Sequence, residues 1–239
     1  MTQFDKKTVF VSGATRGIGA SIAQLFIKEG ATVYGSATTA TDAQQLGLAG
    51  MFAADFTQRE EIERCADFIR SIKPDILINN AGINNPSSFE LIDHDEFLRI
   101  QQVNVFAPMA LCQAAIPSML SSGWGRIVNI SSAWSKKGKE QRAPYSSSKF
   151  AIDGLTLSLA IEYAKSGILA NCVAPGFVDT EMTRRILGDA GIEKILQNVP
   201  IGRLAQPAEI AEVVLWLASP HNTYITGQNI AVDGGFTRA

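Results

Sequence analysis

Histidine and cysteine are scarce in this sequence. Only His94 and His221 are present, and the three cysteines, Cys65, Cys112 and Cys172, form no CxxC pair. A zinc site draws on at least three close ligands, so no metal is expected. The widely spaced thiols read as reduced cysteines of a cytoplasmic protein. Charge of one sign is also missing. Lys plus Arg number 21 against 23 Asp plus Glu, a net charge of −2, which argues against the basic surface that nucleic-acid binding needs. No uninterrupted apolar run approaches the roughly 18 residues of a membrane span. The first seven residues are polar, unlike a secretory signal. Apolar residues are plentiful instead, at 46% of 239 with 18% charged. That composition supports a sizeable core and argues against disorder. One domain over residues 1–239 is expected, since single α/β domains often exceed the average of about 150 residues.

Short β-branched runs alternate with helical patterns. Residues 8–12, 32–34, 50–53, 76–78, 126–130, 168–173 and 229–232 read as strands. Helical spacing follows residue 17 and marks residues 58–72, 93–120, 144–165 and 207–218. Gly30 suits the position that closes the first helix, and Pro144 suits a first turn. Pro108 predicts a bend or break in the longest stretch. Such alternation calls for a parallel sheet covered on both faces. Right-handed crossovers then favour a doubly wound, seven-stranded α/β Rossmann architecture. Ligands sit at the carboxyl ends of such strands, giving a cofactor half of about residues 1–130 and a catalytic half of about 131–239.

After the first strand comes Gly13-Ala14-Thr15-Arg16-Gly17-Ile18-Gly19. Glycines permit a tight turn and let a pyrophosphate approach the N-terminus of the following helix. The loop's place between a strand and an amphipathic helix favours dinucleotide binding over an ordinary turn. An acid after the second strand would bind ribose hydroxyls and repel a 2′-phosphate. Here the segment is Gly35-Ser36-Ala37-Thr38-Thr39, with no acid. NADP(H) is therefore favoured over NAD(H), with Arg16 either supplying positive charge or pointing to solvent. Asp55 is either an adenine acceptor or an N-cap for the next helix.

Tyr145 and Lys149 lie four residues apart on an expected helix, one turn apart on one face. A phenol is a poor acid–base catalyst at neutral pH, and a neighbouring ammonium lowers its pKa. Ser132 follows the fifth strand. Asn104 sits in an apolar helical context, where its amide needs partners.

Together these motifs resemble the short-chain dehydrogenase/reductase family across essentially the whole chain. The resemblance rests on Gly13 to Gly19, Asn79-Asn80-Ala81-Gly82, Asn104, Ser132, Tyr145 with Lys149, and Pro175-Gly176 with Thr180. The chain looks most like the 3-oxoacyl-[acyl-carrier-protein] reductase branch. The resemblance implies that Tyr145 is the general acid or base, that Lys149 lowers its pKa and binds the nicotinamide ribose, that Ser132 orients the substrate oxygen, and that Asn104 holds a water in a proton relay. It implies cofactor contacts from Gly13, Thr15, Arg16, Gly17, Ile18 and Gly19, then Thr38, Asp55 and Phe56, then Asn80, Ala81 and Gly82. Tyr145, Lys149, Pro175, Gly176, Val178 and Thr180 complete that set. A homotetramer and a small carbonyl or alcohol substrate, thioester-linked in that branch, are implied as well.

The chain departs from that branch where an acidic carrier would dock. Only Lys165 is basic among residues 121–125 and 164–167. Residues 133–142 instead carry Lys136, Lys137, Lys139 and Arg142 against Glu140, either as a solvated loop or as the contact for an anionic substrate group. Residues 180–199 hold few regular signals beyond a short helix; the resemblance implies a mobile lid there, and Met182, Ile186 and Leu187 either touch substrate or belong to the core of that helix. Alternatives are another secondary-alcohol dehydrogenase of sugar, cyclic-alcohol or steroid type, and a nucleotide-sensing regulator without catalysis. Leu155, Leu157, Leu159 and Ile161 make the tyrosine helix apolar on more than one face, for burial within the chain or against a partner.

Overall fold

The computed structural model describes residues 3–239. Among these, seven strands form one parallel sheet in the order β3-β2-β1-β4-β5-β6-β7. The strands are β1 (Thr8–Val11), β2 (Thr32–Ala37), β3 (Gly50–Ala53), β4 (Ile76–Asn79), β5 (Gly125–Ile130), β6 (Ile168–Pro175) and β7 (Asn229–Val232). The helices are α1 (Gly17–Lys28), α2 (Arg59–Ile72), α3 (His94–Gln101), α4 (Ala107–Ser122), α5 (Ala143–Tyr163), α6 (Glu181–Leu196) and α7 (Pro207–Leu217). This is the doubly wound Rossmann-like fold. Strand order reverses between β1 and β4, where Val9, Phe10 and Val11 pair with Ile76, Leu77 and Ile78. A crevice opens there, at the carboxyl ends of the strands.

Strand pleating sorts the core into two layers. Val9, Val11, Ile76, Ile78 and Val128 pack against Ile22 and Phe26 of α1 and Ile210 and Val214 of α7. Phe10, Leu77 and Ile127 face the other way, onto Ile62 and Ile69 of α2 and Leu111 and Met119 of α4. All eight residues of β6 are buried, which explains its near-continuous apolar sequence.

The longest helical stretch, expected to bend or break at Pro108, does not break there. The chain stays helical from α3 into α4, and the irregularity lies just before the proline, as a π turn over Gln102–Phe106. Pro108 falls in the first turn of α4, where its missing N–H is tolerated. It cannot donate to the Asn104 carbonyl four residues back, so a regular α ladder is interrupted there. Among the described residues, His94–Ser122 alone has the length and mean hydropathy of a membrane span, although polar residues interrupt it. In its most apolar window 61% is buried inside the protein, as in a core helix.

Residues 180–199 are more regular than expected. They form α6, interrupted at Gly188, whose φ of 61° and ψ of 175° are non-helical. No α6 residue is buried, so Met182, Ile186 and Leu187 are not core residues. Asp55 does not cap α2, which has Gln58 at that place. Its carboxylate accepts the Thr57 N–H at 2.9 Å instead.

Candidate functional site

The turn after β1 is built by close approach. Gly13 and Gly17 hold φ of 67° and 54°. A Cβ on Gly19 would overlap the Gly13 carbonyl oxygen and the Asn80 amide. Arg16, the N-cap of α1, makes no side-chain cap, so first-turn N–H groups remain available to an anion. Ser12, which the sequence did not single out, fastens this turn to β4. Its hydroxyl accepts the N–H groups of Asn80 and Ala81, each at 3.0 Å. The Asn80 amide donates back to the Ser12 and Gly13 carbonyls at 3.0 and 3.1 Å.

A cleft of about 720 Å³ runs along the strand ends. Every residue expected to touch the cofactor lines it, from Gly13, Thr15, Arg16, Gly17, Ile18 and Gly19 through Thr38, Asp55 and Phe56 to Asn80, Ala81 and Gly82. Tyr145, Lys149, Pro175, Gly176, Val178 and Thr180 line it too, with Ser132. Thr39 and Met182, both named from the sequence, line it as well, and Thr41 and Thr183 line it without having been singled out. Arg16 does not point freely to solvent. Its guanidinium crosses to Glu181 of α6 at 2.9 Å, and both side chains are largely exposed. The first acid after β2, Asp42, accepts the Gln44 N–H at 2.9 Å and is not among the cleft's walls.

Asn104 lies outside the cleft wall, in the π turn. Its amide oxygen accepts the Ile83 N–H at 2.9 Å, and its nitrogen donates to the Ile83 carbonyl at 2.9 Å and to Ser148 Oγ at 3.0 Å. Ser148, one turn after Tyr145, donates in turn to the Tyr145 carbonyl at 2.7 Å. The buried asparagine thus ties the segment after β4 to the helix carrying Tyr145 and Lys149.

Ser132 Oγ accepts the Trp134 N–H at 3.2 Å and faces the Tyr145 hydroxyl. Burial pushes the Tyr145 pKa up; the Ser132 hydroxyl and then the Arg142 charge oppose it. The expected lowering by Lys149 is not what this geometry shows. Lys149 Nζ lies 5.5 Å from the Tyr145 ring centre, but it donates to the Ile130 carbonyl at 2.7 Å. Burial brings its own pKa down to about 8.

The cationic segment is largely engaged within the chain. Lys136 Nζ donates to the Asn229 carbonyl at 2.6 Å, Lys137 lies 4.4 Å from the Phe236 ring centre, and Lys139 pairs with Glu140. Trp134, Phe177 and Phe236 pack edge-on, with centroids 5.0 to 5.9 Å apart, and Tyr145 rests against this group. The three cysteines are buried and free, with burial pushing each thiol up to about 12. They are not poised as nucleophiles. Among the described residues, no three His, Cys, Asp or Glu cluster as metal ligands.

A family model described as Enoyl-(Acyl carrier protein) reductase matches residues 13–237. Similar curated proteins include the 3-oxoacyl-[acyl-carrier-protein] reductase FabG of Vibrio harveyi, 39% identical over 236 residues and 96% of each chain. The protein of that name from Salmonella typhimurium is 38% identical over 241 residues, covering 97% of this chain and 98% of its own. Among solved structures, a gluconate 5-dehydrogenase from Burkholderia cenocepacia in complex with NADP and tartrate is similar at a TM-score of 0.92 and 30% identity, covering 99% of this chain and 97% of its own. Thermoplasma acidophilum aldohexose dehydrogenase is similar at a TM-score of 0.90 and 32% identity, covering 100% and 98%. The chain belongs to the short-chain dehydrogenase/reductase family, oxidoreductases acting on CH–OH and C=O groups.

Proposed function

We propose that this chain interconverts a carbonyl and a secondary alcohol with NADP(H), through Ser132, Tyr145, Lys149 and Asn104. The observation that carries this reading is the convergence at one cleft of the Ser132–Tyr145 pair and the buried Lys149 ammonium, with the Asn104 amide behind the wall gripping the lining residue Ile83. The glycine turn fits a dinucleotide, because its backbone packs too closely for a side chain at Gly19. When bound, NADP(H) supplies or accepts the hydride. Ser132 orients the substrate oxygen, and its hydroxyl proton is free to point at that oxygen while Trp134 occupies an acceptor position. Tyr145 gives its phenolic proton to the forming alkoxide, or takes it back in the reverse direction. Lys149 binds the nicotinamide ribose and supplies positive charge beneath the site. Asn104 holds the relay in place through Ile83 and Ser148, and a water at its freed carbonyl would extend it. NADP(H) is favoured over NAD(H) because Arg16 borders the cleft and no acid follows β2 there.

The 39% identity to 3-oxoacyl-[acyl-carrier-protein] reductases supports a 3-oxoacyl thioester as substrate. A second reading, a sugar or sugar acid, draws on the similar gluconate and aldohexose dehydrogenases. It also draws on Lys136, Lys137 and Lys139, which bind within the chain rather than forming a patch for an acidic carrier. A single domain, a homotetramer and a cytoplasmic location complete the proposal. Exposed Leu120 on α4 and exposed Phe150, Leu157 and Ile161 on α5 support the assembly.

The test follows NADPH oxidation with acetoacetyl-coenzyme A, and NADP+ reduction with D-gluconate, in the wild type and Tyr145→Phe. Turnover that falls about 10²- to 10⁴-fold in the variant supports the tyrosine mechanism. Wild-type turnover retained by Tyr145→Phe would refute it.

A further inference from the structure

The Ser132 hydroxyl stands on a support that would not hold by itself. Ser132 is the N-cap of one 3-10 turn, Ala133–Ser135, whose three residues are all buried. A single such turn has little stability of its own. What fixes it lies in the segment from β7 onward, 93 to 99 residues away. The Trp134 ring packs edge-on to Phe236 at 5.3 Å. Ser135 Oγ accepts the Asn229 side-chain amide at 2.9 Å. Lys136 Nζ reaches the Asn229 carbonyl and Lys137 lies over the Phe236 ring.

The polar half of this support runs in one direction. Asn229 Nδ2 donates to Ser135 Oγ, and Ser135 Oγ donates to the Ser132 carbonyl at 2.7 Å. The Ser135 proton is committed to Ser132, so its oxygen calls for a donor, and the Asn229 amide nitrogen faces it. The Asn229 amide oxygen is then buried without a donor. A buried acceptor left unpaired costs free energy, and such groups persist where a functional group must be held.

The aromatic half closes the other side. Phe236 sits edge-on to Phe177 as well as to Trp134. The Asp233 carboxylate steadies its segment by accepting the Gly235 and Thr237 N–H groups at 3.0 and 2.9 Å. Trp134 is thus fixed by its ring while its N–H donates to Ser132 Oγ. Tyr145 rests against the same aromatic group.

We propose that Asn229 and Phe236 are positioning residues for Ser132. Acting through Ser135 and Trp134, they hold the turn that aims the Ser132 hydroxyl at Tyr145 and at the substrate oxygen. Neither touches substrate. The role in turnover rests on the carbonyl–alcohol reading above. A misplacement of about 1 Å at a reacting group costs on the order of 10²-fold in rate, so this support matters more to turnover than to stability.

The test first reads Ser132 through its neighbour, without substrate. Tyrosines of the full chain are labelled with 13C at Cζ, and Tyr145→Phe assigns the Tyr145 resonance, which reports hydrogen bonding at its hydroxyl. Ser132→Ala should shift that resonance at neutral pH. Asn229→Ala removes the amide and keeps the backbone carbonyl that holds Lys136. It should shift the resonance the same way, and no further once Ser132→Ala is present. Turnover is then followed with acetoacetyl-coenzyme A and NADPH, and with D-gluconate and NADP+. Asn229→Ala, and Phe236→Leu, which keeps an apolar side chain in the core, should each lower kcat about tenfold. KM for the cofactor should stay within about twofold. In the Ser132→Ala background each should cost less than about twofold, because the group they act through is gone. Equal losses of kcat with and without Ser132, as a merely structural role would give, would overturn the proposal. So would a Tyr145 resonance left in place by Asn229→Ala. Turnover of neither probe, or turnover retained in Tyr145→Phe, would instead remove the reading beneath it, and the resonance would still decide the positioning.

Discussion

The Lys149 ammonium donates to the Ile130 carbonyl at 2.7 Å, pinning α5 to the end of β5. Lys149 is only 4% exposed, and burial brings its pKa from 10.5 to about 8. A shift of that size corresponds to about 3 kcal/mol against the charged form. The folded pKa lies below the unfolded one. The penalty is therefore complete below pH 8 and disappears as pH rises towards 10.5, because only the unfolded chain still holds the proton in that window. Lys149→Met should stabilise the fold at pH 7 by about 1–3 kcal/mol, after loss of a hydrogen bond worth about 1 kcal/mol. It should also cost more than 100-fold in turnover. Urea unfolding at pH 7 and pH 9.5 checks this: the gain should shrink at the higher pH, and a net loss at pH 7 would contradict it.

The same group sets a pH dependence. On the proposed mechanism carbonyl reduction needs Tyr145 protonated and Lys149 charged, so kcat/KM should hold at low pH and decline above about 8. Oxidation needs the phenolate and should run the opposite way. Lys149→Arg, which stays charged throughout, should move the decline upward. Rate profiles in both directions between about pH 6 and 10 measure this; identical profiles for wild type and Lys149→Arg would exclude Lys149 as the titrating group.

Asn104 makes three hydrogen bonds across two chain segments. Asn104→Ala would orphan the Ile83 N–H and carbonyl, for a loss of about 2–4 kcal/mol. In a chain of this size that lowers Tm by roughly 5–10 °C. Asn104→Asp keeps the acceptor for Ile83 and loses the donors, so it should fall between. Calorimetry on the three proteins decides, and an unchanged Tm in Asn104→Ala would mean that the network carries little load.

Much of this site was legible because its parts are local. The glycine turn, the Tyr145–Lys149 spacing and the strand alternation each follow from short-range geometry. The oxidoreductase relatives likewise displace the regulator reading. What was not legible depends on distant partners. The π turn at Asn104 could not be separated from a kink at Pro108, because its amide is paired with Ile83 and Ser148, remote in sequence. The engagement of Lys136 with Asn229 joins residues 93 apart. The Ser12 clamp on Asn80 and Ala81 gave no signal beyond a serine at a strand end.

Arg16 and Glu181 face each other across the cofactor cleft at 2.9 Å. Both are largely exposed, so the pair adds little to stability. Its effect is expected in cofactor choice, because a 2′-phosphate would compete with Glu181 for the guanidinium. Arg16→Ala should raise KM for NADPH about tenfold and leave NADH nearly unchanged, while Glu181→Gln should lower KM for NADPH. Both variants should unfold at the wild-type urea midpoint. Equal effects on the two cofactors would remove Arg16 from 2′-phosphate recognition.

Gly19 tests the turn itself. A methyl group there would overlap the Gly13 carbonyl oxygen and the Asn80 amide. Neither can yield freely, since Asn80 is held by two bonds from its own amide, to the Ser12 and Gly13 carbonyls at 3.0 and 3.1 Å. Gly19→Ala should therefore displace the turn and weaken NADPH binding at least 100-fold, the loss of about 3 kcal/mol of contacts at the pyrophosphate. Gly138→Ala is the matched control, because a Cβ at Gly138 meets nothing within 4 Å. Fluorescence titration with NADPH separates the two. If Gly19→Ala bound the cofactor within twofold of wild type while Gly138→Ala did the same, the close approach of backbone to Asn80 would not be what shapes the dinucleotide site.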